Sequence, residues 1–217
     1  MLNKQKGNMY GFVTHTWNTI KGKCPHDCEY CYMKVFPQKD LGFHCKEMLT
    51  NLGEGNFIFV GSSCDMFADG IKKKWIKDIL KKCRSQDNTY LFQTKNPKRF
   101  EEFINEFPEK TIFGTTLETN REVGLAYSKA PPIIERIVVM SRLKGRKMIT
   151  IEPIFDFDLE RFIEDLQLIK PEWINIGADS KGHNLPEPSK EKIKELIDSC
   201  RCFTDVKIKD NLKRLIE

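Results

Sequence analysis

Short apolar runs alternate along this chain with longer stretches whose apolar positions recur every three or four residues. Phe57-Ile-Phe-Val-Gly61 reads as a buried strand, and Thr89-Tyr-Leu-Phe-Gln93, Thr111-Ile-Phe-Gly-Thr115, Lys147-Met-Ile-Thr-Ile151 and Trp173-Ile-Asn-Ile-Gly177 as further strands. Between them lie helical patterns. From Ile71 to Arg84 the residues Ile71, Trp75, Ile76, Ile79, Leu80 and Cys83 share one face and the lysines the other. Pro97 suits a helix start, with Phe100, Phe103, Ile104 and Phe107 as its buried face. Pro131 and Pro132 open a helix through about Leu143, Leu159 to Ile169 form another, and Ser189 caps one through about Cys200. An earlier strand is expected near Tyr10 to His15 and a short last one from Val206 to Lys209.

Strand–helix alternation of this kind specifies a parallel sheet with right-handed crossovers. About six or seven units fit, whereas a closed eight-unit barrel takes about 250 residues. The expected fold is therefore α/β: a partial (β/α)6-type, laterally open TIM-like barrel of parallel strands, with an open doubly wound sheet as the alternative. No linker or low-complexity tract divides the chain, so residues 1–217 are expected to be one domain. Lys34 to Gly55 is the longest stretch without periodicity, and it is expected over or beside the segment that precedes it.

Composition narrows the setting. Hydrophobic residues make up 40% and charged residues 31% of the chain, ordinary values for a soluble globular protein. No apolar run approaches the roughly 20 residues of a membrane helix, and Met1-Leu-Asn-Lys-Gln-Lys6 lacks an apolar signal core. A cytoplasmic location without a membrane partner is expected, and the 8 cysteines then read as thiols or metal ligands. The net charge of +5 permits a polyanionic partner without requiring one. The basic clusters Lys72-Lys73-Lys74, Lys81-Lys82 and Arg142 to Lys147 read as solvated faces and turns before they read as a nucleic-acid track.

Chemistry concentrates in Cys24-Pro-His-Asp-Cys28-Glu-Tyr-Cys31, spaced C-x3-C-x2-C. Three thiolates on one short loop can hold three corners of a four-iron cube and leave the fourth iron open. A zinc site is the competing possibility. It needs four ligands, usually from two C-x2-C pairs, and His26 lies too close in sequence to join all three cysteines, so His44 or Cys45 would have to complete it. A zinc- or iron–sulfur-bearing nucleic-acid-binding protein without catalysis thus stands as the alternative. Cys45, Cys83, Cys200 and Cys202 carry no motif and read as ordinary core or surface thiols.

In parallel α/β folds ligands bind at the carboxyl ends of the strands. Polar residues recur there: Gly61-Ser-Ser-Cys-Asp65, Thr94-Lys95-Asn96, Thr116-Leu-Glu118-Thr119-Asn120, Glu152-Pro153, Gly177-Ala-Asp179-Ser180 and Lys209-Asp210-Asn211. Lys95 can bind a phosphate or carboxylate, or simply cap a loop. Glu152 can act in acid–base chemistry or close a salt bridge in the barrel mouth. Cys64 can donate a hydrogen atom, or be a small buried residue.

The cysteine loop, with Tyr32 after it, resembles the signature of the radical S-adenosylmethionine (SAM) superfamily. The resemblance implies a [4Fe-4S] cluster on Cys24, Cys28 and Cys31, and SAM on the open iron. It also implies an electron from a reductant protein such as flavodoxin or ferredoxin, reductive cleavage of SAM, and hydrogen abstraction from a substrate. It places Gly61, Ser62 and Ser63 near the methionyl amino group, although the superfamily often has a Gly-Gly-Glu-like segment there. It places Thr116 and Glu118 near the ribose, and Tyr30 and Gly177 near adenine. The substrate would lie among Lys95, Glu152, Asp179 and Lys207 or Lys209; its class stays open, nucleic acid included. Val60-Gly-Ser-Ser-Cys-Asp-Met-Phe67, Gln93-Thr-Lys-Asn-Pro-Lys-Arg99, Gly114-Thr-Thr-Leu-Glu118, Ile151-Glu-Pro153 and Trp173-Ile-Asn-Ile-Gly177 look like a phage-associated radical SAM family of unknown function. The cysteine loop also looks like that of the spore photoproduct lyases. Alanine at Cys24, Cys28 or Cys31 is expected to abolish iron and sulfide incorporation, because two thiolates hold the cube poorly; full anaerobic iron content in all three variants would refute the assignment.

Overall fold

The computed structural model describes residues 1–5, 9–122 and 126–217. Its main sheet has eight strands: β1 (Leu2–Lys4), β2 (His15–Trp17), β5 (Phe57–Val60), β6 (Thr89–Thr94), β7 (Thr111–Thr116), β8 (Arg146–Ile151), β9 (Trp173–Ile176) and β10 (Asp205–Ile208), hydrogen-bonded in that order. All neighbours run parallel except β1, which pairs antiparallel with β2. β1 and β10 do not pair, so the sheet is an open TIM-like barrel. Helices follow the last six strands in turn: α1 (Lys73–Arg84), α2 (Lys98–Glu101), α3 (Ile133–Arg142), α4 (Leu159–Ile169), α5 (Lys190–Arg201) and α6 (Lys213–Ile216). β2 is followed by the cysteine loop instead.

Alternation along the strands divides the buried side chains into two cores. Ile58, Val60, Tyr90, Phe92, Phe113, Ile149, Ile151, Ile174 and Ile176 face the helices and meet Ile76, Leu80, Ile137, Leu166 and Leu196. Phe59, Leu91, Ile112, Met148 and Trp173 face inward, where Tyr10 and Val13 fill the amino-terminal end of the barrel, with Met9, Phe12 and Phe57 packed around them. The Phe12 ring meets Trp173 edge-on at 5.0 Å. The pattern of Tyr10 to His15 predicts a strand, but pairing begins only at His15, and Tyr10-Gly-Phe-Val13 turns inward as a plug. Burying those rings inside the barrel outweighs their preference for extended backbone.

The stretch after Pro97 also departs from its helical pattern. Only Lys98–Glu101 is α-helical, and a 3-10 turn over Ile104–Glu106 follows. Phe100, Phe103 and Phe107 do pack inward, with Phe67 and Phe92 among their partners, but Ile104 is 43% exposed. The other helices match their patterns closely, and Ser189 Oγ accepts from Lys192 N at the start of α5.

The stretch from Lys34 to Gly55, aperiodic in sequence, has local structure of its own. It holds β4 (Gly42–Phe43), paired antiparallel with β3 (Ile20–Lys21), and a 3-10 turn over Cys45–Leu49. Phe43 stacks on Trp75 of α1 at 5.6 Å, Trp17 Nε1 donates to Glu47 O, and Leu52 is fully buried. The segment therefore packs along the outer layer beside α1. Its beginning, next to Cys31, adjoins the cysteine loop.

α4 ends at Lys170 with φ of 56°, a left-handed conformation that β-carbon sterics penalise. Lys170→Gly is expected to raise stability by about 0.5–1 kcal/mol, net of the extra unfolded-chain entropy of glycine. Urea denaturation measures this, and an unchanged or lower midpoint contradicts it.

Candidate active site

Because seven of the eight strands run parallel, their carboxyl ends form one rim, and the cysteine loop hangs from that rim after β2. Cys28 is buried, and Cys24 and Cys31 are half-buried. The loop is tied down at several points. His26, 4% exposed, donates from Nε2 to Asp65 Oδ2 at 2.8 Å, and that carboxylate also accepts from Thr94 Oγ1 and from the Lys95 and Phe67 amides. A strap before α3 adds backbone bonds from Glu29 N to Tyr127 O and from Lys129 N to His26 O, with Ser128 Oγ 3.1 Å from Cys28 Sγ. His26 is thus occupied as an anchor, and His44 and Cys45 sit exposed on the outer segment. Among the described residues no three His, Cys, Asp or Glu side chains are gathered closely enough to hold one metal ion. A zinc ion needs donors about 2.0–2.3 Å from a single centre, so the completed zinc site considered from the sequence is not assembled. A four-iron cube makes a different demand, one thiolate on each of three separate irons. Three soft thiols on one anchored loop fit that demand.

Behind the loop lies a buried charge cluster. Glu118, two residues past β7 and 1% exposed, accepts from Lys95 Nζ at 2.5 Å and Tyr30 OH at 2.5 Å on one oxygen, and from Arg136 Nη1 at 2.9 Å on the other. Burial alone would push its carboxyl up; Lys95 and Arg136, with the hydrogen bonds, overcome this and hold its pKa at about 2. Lys95 is likewise pulled down by burial and held well above the ordinary lysine range chiefly by Glu118. Of the residues singled out from the sequence, Tyr30, Lys95 and Glu118 therefore meet around Cys28. Tyr30 also lies edge-on to Phe155 at 5.5 Å.

Gly61 closes β5 with φ of 80°, which glycine adopts without strain, and donates to Trp17 O. Ser62 Oγ and Ser63 N both bond the Asn18 side chain, whereas Ser63 Oγ is buried with no partner among the described residues. An orphaned hydroxyl at this position suits a ligand carrying a polar group. Cys64, 3% exposed, points its thiol at Cys24, which lowers the Cys24 pKa and raises that of Cys64.

A second group forms at the opposite wall. Glu152, after β8, accepts from Lys209 Nζ at 2.6 Å and Asn211 Nδ2 at 2.9 Å. The Asn211 amide also donates to Ala178 O and Ser180 Oγ, which leaves Asn211 Oδ1 buried and unpaired among the described residues. Gly177 makes room for this arrangement: a β-carbon there would lie 2.9 Å from both Asn211 Oδ1 and the Glu152 carboxylate. Asp179, 7% exposed, receives the His183 imidazole at 2.7 Å and the amides of Lys181 and His183. A cavity of about 980 Å³ opens here, bordered by Asp179, Ser180, Glu187, Asn211 and Arg214. The barrel floor between the two groups is polar. Tyr10 OH donates to Gln93 Oε1 and lies 2.8 Å from Thr150 Oγ1, while Gln93 Nε2 donates to Thr116 Oγ1.

Sequence reasoning missed Asp65, Ser128, Arg136, Tyr10 and Gln93 as parts of this site. Gln93 had a signal, being a polar residue on the inward face of an otherwise apolar strand. Asp65 stood within a quoted rim segment. Ser128 and Arg136 had none, because they approach from a connection and a helix remote in sequence.

Residues 9–206 match the family described as "Protein of unknown function (DUF5131)", and the chain belongs to that family. That description mentions no phage association. No curated protein sequence matches the chain. Solved structures of spore photoproduct lyase share the fold. A doubly substituted variant with bound AdoMet and dinucleoside spore photoproduct superposes with a TM-score of 0.68 at 10% identity, over 94% of this chain and 78% of that one. The lyase complexed with dinucleoside spore photoproduct gives 0.67 at 10% identity, with the same coverage. A singly substituted variant with that dinucleoside gives 0.68 at 11%, again with the same coverage.

Removing one partner from a buried ion cluster leaves a charge uncompensated. Arg136→Met is therefore expected to cost about 3–5 kcal/mol at neutral pH, against about 0–1 kcal/mol for Lys73→Met, which breaks an exposed pair with Glu102. The folded Glu118 pKa lies below its unfolded value of about 4.3. Its contribution is thus complete above about pH 4.3 and lost as pH falls through about 2. Denaturation against pH should show the two proteins converging over that range, and equal stability at pH 7 contradicts the cluster's role.

Proposed function

We propose that this DUF5131 member is a radical SAM enzyme: Cys24, Cys28 and Cys31 would hold a [4Fe-4S] cluster for the reductive cleavage of SAM, and the barrel mouth would hold the substrate that gives up a hydrogen atom. The observation that carries this reading is the placing of the three-cysteine loop at the carboxyl rim of an open parallel barrel, anchored by His26–Asp65 and backed by Lys95 and Glu118. The fold shared with a SAM-bound lyase agrees with it. When bound, the cluster supplies the electron that splits SAM, and SAM supplies the radical that takes the hydrogen atom.

The chain's own residues would then do the positioning. Ser63, with its unpaired hydroxyl, together with Gly61 and Ser62, would receive the methionyl amino group. Tyr30, Thr116 and Gly177 would border the nucleoside. Glu118 keeps little spare acceptor capacity beside Lys95, Tyr30 and Arg136, so its proposed effect on the ribose runs mainly through Tyr30. The substrate would lie between Lys95 on one wall and Glu152, Lys209 and Asp179 on the other, with Cys64 held back against Cys24. Flavodoxin or ferredoxin is the proposed electron source and the cytoplasm the proposed location; no described helix is long and apolar enough to cross a membrane. The lyase structures hold a dinucleoside photoproduct, and nucleic acid is accordingly a substrate class we propose to try first.

Anaerobically reduced protein is expected to form 5′-deoxyadenosine from SAM, slowly without substrate. Protein with full iron content that forms none contradicts the proposal. Ser63→Ala should act with opposite signs on two properties. It should stabilise the SAM-free fold by removing an unsatisfied hydroxyl, and weaken SAM binding by about 1–3 kcal/mol. Calorimetric titration and thermal denaturation measure both, and unchanged SAM affinity moves the contact elsewhere.

A further inference from the structure

The Cys28 sulfur has two polar neighbours contributed by distant parts of the chain. Lys95 Nζ lies 3.4 Å from Cys28 Sγ, 2.7 Å from Tyr30 OH and 2.5 Å from Glu118 Oε1. An ammonium has three N–H donors, and three acceptors surround this one. Its position is fixed further by the Tyr30 ring, whose centroid is 4.4 Å away, and the Lys95 side chain is only 14% exposed. Ser128 approaches from the strap. Its Oγ accepts from Ala130 N at 3.1 Å, so its own hydrogen is free, and Cys28 Sγ at 3.1 Å is nearer than the other available acceptor, His26 O at 3.4 Å. Both groups therefore lie within hydrogen-bond reach of one sulfur, which as a ligating thiolate has no proton of its own and can only accept from them.

We propose that Lys95 and Ser128 are positioning residues that donate hydrogen bonds to the Cys28 sulfur and thereby raise the reduction potential of the cluster it ligates. The inference rests on the proposed function, since it requires that cluster. Reduction adds negative charge that spreads onto the ligating sulfurs. A fixed cation and a hydroxyl donor at one of them stabilise the reduced state more than the oxidised one. Glu118 has the complementary task. It holds the ammonium in place while Arg136 balances its second oxygen, so that Lys95 does not swing out to solvent. A purely structural Lys95, there only to neutralise Glu118, would alter stability when removed and leave the potential where it was.

The test uses wild-type protein, Lys95→Met, Lys95→Arg and Ser128→Ala, each loaded anaerobically and assayed for iron and sulfide. Midpoint potentials are then read by potentiometric titration with electron paramagnetic resonance of the reduced cluster, without SAM. Lys95→Met is expected to lower the equilibrium constant for one-electron reduction about tenfold, a downward shift of about 59 mV. Ser128→Ala should lower it severalfold, and Lys95→Arg should stay near wild type. If Lys95→Met fails to hold iron, Ser128→Ala decides, because it leaves the Lys95–Glu118 pair intact. A wild-type protein that binds no four-iron cluster overturns the proposed function and this inference with it. A normal wild-type cluster whose potential neither substitution lowers overturns the inference alone. The same holds if Lys95→Met weakens SAM binding at an unchanged potential, which would make Lys95 a cofactor ligand only.

Discussion

The arrangement of the rim depends on one buried carboxylate. Glu118 is almost fully enclosed, and an isolated charge there would cost far more than the fold could supply. It is tolerated because Lys95 from the end of β6, Arg136 from α3 and Tyr30 from the cysteine loop all converge on it. The same requirement locks those three pieces together. Satisfying Glu118 places an ammonium beside Cys28, fixes the Tyr30 ring over that ammonium and draws α3 against the end of β7. Asp65 repeats the device on a smaller scale, joining His26 of the loop to Thr94 and the Lys95 amide at the end of β6.

These polar anchors are set against a barrel whose strands and helices are otherwise packed with apolar side chains. The outer core packs aliphatic and aromatic residues of alternate strand positions against the helices, and the inner core is stoppered by Tyr10, Phe12 and Val13. The plug also ends the apolar part of the interior. Tyr10 turns its hydroxyl toward Gln93 and Thr150, and from that level upward the barrel wall is polar. A ligand entering the mouth would meet hydrogen-bonding groups on the floor and the Lys209–Glu152 pair on one wall, with the Lys95–Glu118 pair enclosed behind the cysteine loop. An interior of this kind favours a ligand rich in polar edges over a hydrocarbon.

Much of the architecture could be read from the chain because the signals involved are local. A strand such as Trp173-Ile-Asn-Ile and a helix such as Leu159–Ile169 state their own periodicity. The spacing of Cys24, Cys28 and Cys31 likewise states its chemistry, since three thiols in one loop need no partner from elsewhere to be recognised. Where local signals compete with tertiary demand, the tertiary demand wins. Tyr10-Gly-Phe-Val13 looks like a strand but plugs a barrel, and Phe103 to Phe107 looks like a helix but leaves Ile104 exposed so that Phe107 can reach Phe92 and Phe113.

By itself, then, the sequence determined a parallel α/β barrel with an open side, a three-thiol loop after its first parallel strand, and a polar carboxyl rim. Tertiary structure alone decided which rim residues work together. Lys95, Glu118 and Arg136 lie 23 and 18 residues apart in pairs, and Ser128 is 100 residues from Cys28. Glu152 meets Lys209 across 57 residues. A charge can choose any opposite charge that folding brings near, so pairings of this range leave no periodic trace in the chain. They are set by strand register and helix placement, which are themselves products of the whole core.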